Sequence, residues 1–304
     1  MKDINYWKRY PVLTDPDKIS QAMNIETFSS SGKLYELLSF AGEKDSPCII
    51  IAPGSGGHAF VFAELAYLIH KKGYNAFIMP KQGGFTINEL LVRHEDAVNY
   101  LRSKYKTDLH FYGEGLGGLV VFYLGLKGIE LKSIICENSP AILTEPAFHK
   151  AMKKDGRAGK RRAILLPFFK LLVKIFPSLP VPIRAYLAWH EIIDTDQRNN
   201  EIEKKMVYAY DHDPDFDKWY PLKAVMSLLN TKPPVSVDKL SIPTFFILAT
   251  RGLIPNYFRD LFLRLGARNK KLEEIDGGAF WMVSNPDKSS EAIINWIKQI
   301  NKKS

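Results

Sequence analysis

Short apolar segments alternate with longer amphipathic ones along most of the chain. Residues 48–52, 109–112 and 131–137 are nearly continuous apolar runs with the length of strands buried on both faces. Residues 60–72 and 86–104 lie between those runs and repeat their apolar positions with the period of a helix. Strands that alternate with helices predict a parallel sheet with right-handed crossovers, whose ligand sites lie at the carboxyl ends of the strands.

The same pattern continues towards both ends of the chain. Two short runs between Asn24 and Phe40 flank Ser29–Gly32 and predict a β-hairpin. The other predicted elements are strands at residues 74–79, 244–249 and 271–275 and helices at residues 253–265 and 290–300. We therefore expect a mostly parallel central sheet with helices on both faces.

Residues 140–234 interrupt this alternation. An apolar stripe covers residues 164–175, a second helical segment covers residues 198–210, and no strand is predicted. An all-helical insertion between two parts of one sheet is placed to cover the crevice at the strand ends. The predicted organisation is an α/β core made of residues 1–139 and 235–304, with an inserted helical cap at residues 140–234.

Charge narrows the range of partners. The formal net charge is +9, and basic residues are concentrated between Lys150 and Arg162 and in the last seven residues. No helix-turn-helix, zinc-finger or RNA-binding signature accompanies them, so a nucleic-acid partner is not predicted. The first cluster precedes the apolar positions Phe168 and Ile175. It is either a solvated helix face or a basic amphipathic surface in peripheral contact with an anionic membrane.

The cysteines and histidines bear on whether the chain has disulfide bonds or a metal site. Cys48 and Cys136 each lie inside an apolar run, which predicts buried, reduced thiols. The histidines show no metal-ligand spacing, so neither a metal nor another cofactor is predicted.

Residues 1–5 lack the core of a signal peptide, and no stretch has the apolar length of a membrane span. A cytoplasmic location is therefore expected.

Residues 109–126 are the most informative stretch. An apolar run ends at Gly113-Glu114-Gly115-Leu116-Gly117, and a second apolar segment of helical length follows. Glycines around such a junction predict a strand, a sharp turn and a helix. The spacing resembles the G-x-S-x-G nucleophile elbow, in which a strained turn holds a serine above the sheet. Gly115 occupies the serine position.

From about Asn24 onward the chain resembles the α/β-hydrolase fold. The resemblance depends on this turn, on the loop at residues 53–57 and on the tract at residues 208–214. Within that fold it resembles the lysophospholipase and monoacylglycerol lipase branch, which carries a helical cap. The resemblance implies an oxyanion hole built from the backbone N–H groups of Leu116 and Ser55.

Gly54 lies in the same loop as Ser55 and is part of the oxyanion and ligand-binding set that the resemblance implies. Backbone donors survive any change of side chain, so this half of the site is expected to be intact. Such donors stabilise a reaction only when a nucleophile generates negative charge beside them.

The same resemblance implies three catalytic side chains that the sequence lacks. The acid is expected after the strand that ends at Thr250, where Gly252 stands, and the base after the last strand, where Ala279 stands. A Ser–His–Asp triad needs a base that accepts the proton and an acid that orients the base. Gly115, Gly252 and Ala279 supply neither, so we expect a triad lost naturally or removed by engineering, and no acyl-enzyme chemistry at this elbow.

Other side chains near the elbow are candidates to replace the missing triad residues. His58 follows the loop and either faces the crevice as a base or makes structural hydrogen bonds. Asp276 lies in the loop that should carry the base and could activate a water molecule. The Ser55 hydroxyl has no evident base, which favours a backbone role. Glu114 is expected to be a buried support of the elbow.

The leading hypothesis is a cytoplasmic α/β-hydrolase-fold protein that binds a small acyl or carboxylate-bearing ligand, or a protein partner, without turning it over. Backbone donors at a helix N-terminus favour an anion even without catalysis. Two alternatives remain open. One is an active esterase or lysophospholipase-like hydrolase that uses relocated residues, or a related enzyme with a water nucleophile; the other is a protein-interaction module.

Overall fold

The computed structural model describes residues 14–139, 142–154, 167–182, 208, 212–251, 254–278 and 281–302. The strands are β1 (Asn24–Ser30), β2 (Lys33–Phe40), β3 (Cys48–Ala52), β4 (Asn75–Ile78), β5 (Leu109–Glu114), β6 (Ser133–Glu137), β7 (Pro180–Pro182), β8 (Trp219–Pro221), β9 (Thr244–Ala249) and β10 (Lys270–Ile275). The helices are α1 (Pro16–Ala22), α2 (Ala63–Lys71), α3 (Ile87–Lys104), α4 (Leu116–Lys127), α5 (Pro146–Lys154), α6 (residues 167–175), α7 (Leu222–Asn230), α8 (Pro255–Arg264), α9 (Trp281–Ser284) and α10 (Pro286–Lys302).

Eight strands form one sheet in the order β1-β2-β4-β3-β5-β6-β9-β10. The first three pair antiparallel, and every pair from β4 to β10 is parallel. The predicted mostly parallel sheet with helices around it is confirmed. Because the parallel strands share a direction, the loops after β3, β5, β6 and β9 emerge at one edge of the sheet.

Hydrophobic cores cover both faces of this sheet. One core packs α3, α4 and α8 on one face, and the other packs α1, α2, α9 and α10 on the opposite face. Alternation along β3 supplies both, since Ile50 belongs to the first core and Ile49 and Ile51 to the second. A strand with two buried faces explains why residues 48–52 read as an unbroken apolar run.

Helix boundaries follow the capping chemistry of the sequence. Thr86 and Glu89 form a capping box, in which the Glu89 Oε2 accepts the Thr86 N–H at 2.7 Å, and α3 begins directly after Thr86. The last helix starts at Pro286, four residues earlier than predicted, because proline is tolerated in a first helical turn. The first turn predicted at residues 60–62 is a separate 3₁₀ segment.

Residues 140–234, the predicted cap, contain strands that the sequence did not predict. β7 and β8 pair antiparallel as a two-stranded ribbon, so the expectation of helices without strands in residues 140–234 was wrong. Three-residue strands that contain prolines are too short to show the alternation by which strands are recognised. The ribbon packs with α6 and α7 around Val181 and Tyr220. Of the helix predicted at residues 198–210, all but Tyr208 lies outside the described residues.

Two further predictions concern thiols and membrane spans. Cys48 and Cys136 are buried and unpaired, as expected. Among the described helices, none combines the length and hydrophobicity that crossing a bilayer requires.

Candidate functional site

The turn between β5 and α4 has the geometry of an elbow. Gly115 has φ 53° and ψ −114°, a backbone conformation that costs a residue with a Cβ about 1–3 kcal/mol. Its N–H donates to the Glu137 carbonyl at 3.2 Å, and its carbonyl accepts from Leu119 at 3.1 Å. The predicted strand, sharp turn and helix are therefore present, and α4 begins at Leu116.

The loop that follows β3 faces this elbow. If a Cβ were added to Gly115, the nearest heavy atom outside the two neighbouring residues would be the Gly54 Cα, 3.8 Å away. The structure thus brings the two halves of the predicted site together. It also leaves room for a side chain at residue 115, so the glycine there is not imposed by crowding.

Two backbone donors line this junction. Within the part of the chain that the structure describes, neither the Ser55 N–H nor the Leu116 N–H donates a hydrogen bond. Leu116 is the first residue of a twelve-residue helix, where N–H groups have no partner inside the helix and the dipole favours negative charge. Neither group is therefore committed to another residue in the described part of the chain.

The Ser55 hydroxyl is held by a tyrosine rather than by a base. Ser55 Oγ lies 2.9 Å from the hydroxyl oxygen of Tyr220, which also accepts the Gly56 N–H at 2.7 Å. A tyrosine hydroxyl that retains its proton does not activate a serine as a nucleophile. Burial raises the pKa of Tyr220, so its hydroxyl stays protonated.

His58 is buried and pairs with a carboxylate of the cap side. Its Nε2 lies 2.7 Å from Asp213 Oδ2, and the two residues are 3% and 0% exposed. This is a base with an orienting acid, the relationship found in catalytic triads. The same geometry also describes a latch between the loop and the cap, since Asp213 is 155 residues away in sequence.

Two carboxyl groups lie side by side behind the elbow. Glu114 and Glu137 are register partners at the ends of β5 and β6. Glu137 is fully buried; its Oε2 accepts from the Tyr112 hydroxyl at 2.9 Å, and its Oε1 has no partner among the described residues. Burial raises the pKa of Glu137 to about 8.

Glu114 supports the loop from behind. Its carboxyl oxygen occupies the space that a side chain on Gly54 would need. Burial, with the neighbouring Glu137, raises the pKa of Glu114 to about 8. At neutral pH both carboxyl groups therefore hold their protons for most of the time and add little negative charge beside the Ser55 and Leu116 amides.

The other predicted site residues lie elsewhere or outside the described chain. Asp276 is exposed, and its carboxylate accepts from Arg251 at 2.6 Å, so it is a surface ion pair rather than a base facing the elbow. Gly252 and Ala279 fall outside the described residues. Within the described residues, no group of three or more His, Cys, Asp or Glu side chains could hold a metal ion.

Three residues of this site were not identified from the sequence. Asp213 belongs to the tract at residues 208–214, and no motif in the sequence points to Tyr220 or to Glu137 as a site residue. Tyr220 lies in the unpredicted ribbon. Glu137 ends a predicted buried strand, and a carboxylate at the carboxyl end of such a strand was the one available signal.

Comparisons with known proteins bear on the fold of the chain. No protein-family model and no curated protein matches the sequence. A carboxyl esterase from Bacillus coagulans in complex with glycerol matches 92% of this chain and 99% of its own, with a TM-score of 0.72 and 14% identity. A soluble variant of monoglyceride lipase from Saccharomyces cerevisiae matches 96% and 98%, with a TM-score of 0.69 and 14% identity.

A monoacylglycerol lipase from Paleococcus ferrophilus matches 91% of this chain and 99% of its own, with a TM-score of 0.63 and 15% identity. At such identities the likeness establishes the fold. The predicted fold class is thus confirmed: the chain has the α/β-hydrolase fold, and its structural neighbours are lipases and esterases.

Proposed function

We propose that this protein binds a small acyl or carboxylate-bearing ligand at the elbow and does not hydrolyse it. One observation carries the proposal: Gly115 keeps the backbone conformation of the elbow, with φ 53° and ψ −114°, although it has no side chain with which to attack a substrate. The backbone donors of the site do not depend on that side chain. They are suited to a negatively charged oxygen that the ligand already carries, and do not require one that forms on a reaction intermediate.

The electrostatics of the site support a bound anion. The amides of Ser55 and Leu116 donate to no described residue. The carboxyl groups at the ends of β5 and β6, Glu114 and Glu137, have raised pKa values of about 8 and are largely neutral at pH 7. The Asp217 carboxylate, from the segment beside Gly56, accepts from Lys81 at 2.9 Å. A carboxylate head group would therefore meet two donors and a helix N-terminus, with little opposing charge from Glu114 and Glu137.

The proposal is tested by removing one donor without removing the helix. Octanoate binding is measured by isothermal titration calorimetry for the wild type, Leu116→Pro and Leu116→Ala. Proline is tolerated at the first helical position and removes both the N–H and the leucine side chain. Alanine removes the leucine side chain and keeps the N–H, so the two variants differ in the N–H.

We expect Leu116→Pro to weaken octanoate binding about 10- to 100-fold relative to Leu116→Ala, the range for a lost hydrogen bond to a charged group. Equal affinities of the two variants, or no octanoate binding by the wild type, would contradict the proposal. A fluorophosphonate probe for activated serines is expected to leave the protein unlabelled.

A second candidate function is hydrolysis by relocated residues, and the His58–Asp213 pair favours it. A buried histidine oriented by a carboxylate is the base half of a hydrolase site. Saturable cleavage of p-nitrophenyl butyrate that Asp213→Asn abolishes, together with fluorophosphonate labelling of Ser55, would support this alternative. We place it second because Ser55 Oγ pairs with Tyr220.

We also propose peripheral contact with an anionic membrane through α6. Phe168, Leu171 and Ile175 are 55%, 62% and 63% exposed on one side of this helix, and Lys170 and Lys174 are exposed beside them. Leu171→Glu is expected to reduce sedimentation with phosphatidylserine vesicles. Equal sedimentation of Leu171→Glu and the wild type would rule this contact out.

A further inference from the structure

A tyrosine hydroxyl makes two contacts with the loop of the site. Tyr220 accepts the Gly56 N–H at 2.7 Å and contacts Ser55 Oγ at 2.9 Å, and its side chain is buried. Gly56 follows Ser55 directly, so these contacts restrain the Ser55 side chain and the peptide unit between Ser55 and Gly56. The Ser55 N–H is attached to the same Cα, so fixing these two groups limits how far that N–H can turn.

Neighbours of Tyr220 make further contacts with the same loop. The Asp217 N–H donates to the Gly56 carbonyl at 3.0 Å, and the Phe216 ring fills the space that a side chain on Gly56 would need. Gly56 thus has both its N–H and its carbonyl bonded to residues 217–220. The loop has little freedom to move unless this segment moves with it.

Tyr220 also belongs to the cap ribbon. It is the register partner of Val181 across β7 and β8, and its ring packs in the cap cluster with Leu222 and Val225 of α7. The Leu222 N–H donates to the Leu179 carbonyl at 2.8 Å, which ties the start of α7 to the segment before β7. One side chain is therefore shared between the cap ribbon and the loop of the site.

We propose that Tyr220 is a positioning residue that couples the cap ribbon to the affinity of the site for a carboxylate, by holding the Ser55 amide in place. This inference rests on the proposed function. Coupling between two sites is reciprocal, so a ligand at the Ser55 amide must also stabilise the ribbon and α7. Without the hydroxyl, both effects are lost while the ring still packs.

The experiment uses Tyr220→Phe and a matched control, Tyr257→Phe. The Tyr257 hydroxyl also accepts a backbone N–H, from Ile142 at 3.0 Å, and donates to a side-chain oxygen, Glu145 Oε2 at 3.0 Å. Both variants therefore lose one hydroxyl that accepts a backbone N–H and contacts one side-chain oxygen. Octanoate affinity is measured by calorimetry, and amide hydrogen exchange is measured by NMR with and without octanoate.

We expect Tyr220→Phe to speed exchange at the Gly56 amide and to weaken octanoate binding about five- to tenfold. In the wild type and in Tyr257→Phe, octanoate is expected to slow exchange in α7. That protection is expected to disappear in Tyr220→Phe. Loss of ligand-dependent protection separates positioning from a purely structural role, which would raise exchange in α7 equally with and without octanoate.

The outcomes separate this inference from the function on which it rests. If the wild type binds octanoate and Tyr220→Phe binds it equally well, the positioning role is overturned and the proposed function stands. If affinity falls equally in both variants, the effect belongs to general destabilisation and the positioning role is again overturned. If the wild type binds no octanoate, the proposed function and this inference both fall.

Discussion

The buried carboxyl of Glu137 is expected to make the stability of this protein depend on pH. Its pKa is raised from the ordinary 4.5 to about 8 by burial, so the folded chain keeps a proton that the unfolded chain releases. The contribution of Glu137 is complete below pH 4.5 and declines as the pH rises towards 8. Across that interval the free energy of unfolding falls by about 1.4 kcal/mol per pH unit for this one group.

Glu137→Gln replaces the neutral acid with a neutral amide of the same shape and cannot titrate. Relative to the wild type, its free energy of unfolding should rise by about 3 kcal/mol between pH 4.5 and 7, because 2.5 pH units separate those conditions. Urea unfolding followed by circular dichroism measures the difference at each pH. Glu36→Gln, on the exposed side of β2, is the control and should show no such rise. A difference between Glu137→Gln and wild type that stays constant with pH would refute a buried neutral Glu137.

The remaining predictions concern the elbow and the latch. Gly115→Ser alone should give no esterase activity and should lower the free energy of unfolding by about 1–3 kcal/mol, because φ is positive there. Adding Gly252→Asp and Ala279→His should produce measurable p-nitrophenyl butyrate hydrolysis; activity of the single variant would show that a base is already present. For the latch, His58→Gln and Asp213→Asn should each cost about 2–3 kcal/mol in urea unfolding. Their double variant should cost clearly less than the sum, whereas strict additivity would mean that the two side chains do not interact.

The core of the fold could be predicted because its signals are local. β3 and β6 lie within the apolar runs at residues 48–52 and 131–137, and β5 begins with the run at residues 109–112 and extends to Glu114. A strand buried on both faces is apolar along most of its length. α3 was recognised from its helical period, and its capping box sets its start. Such features depend on a few consecutive residues and survive in any tertiary context.

The cap and the contacts of the site could not be predicted in the same way. β7 and β8 are held by pairing between residues that are about 40 apart in sequence, and neither strand has a recognisable pattern of its own. His58 follows the loop directly in the sequence, but its partner Asp213 lies in a distant segment. One sequence shows which residue types are present, whereas long-range pairing is decided by the fold.

At the elbow, the sequence predicts the backbone conformation correctly but lacks the side chain that a hydrolase needs at residue 115. Gly115 has a conformation that glycine adopts at little cost, and the neighbouring Gly54 leaves room for a side chain at residue 115. A hydrolase needs that side chain and accepts the backbone strain to position it. With glycine the strain is relieved and the nucleophile is absent, yet the N–H groups of Ser55 and Leu116 remain without a described partner. Those donors are backbone groups and persist whatever side chain stands at residue 115, so they can hold a carboxylate in the absence of hydrolysis. This is why we place ligand binding ahead of hydrolysis.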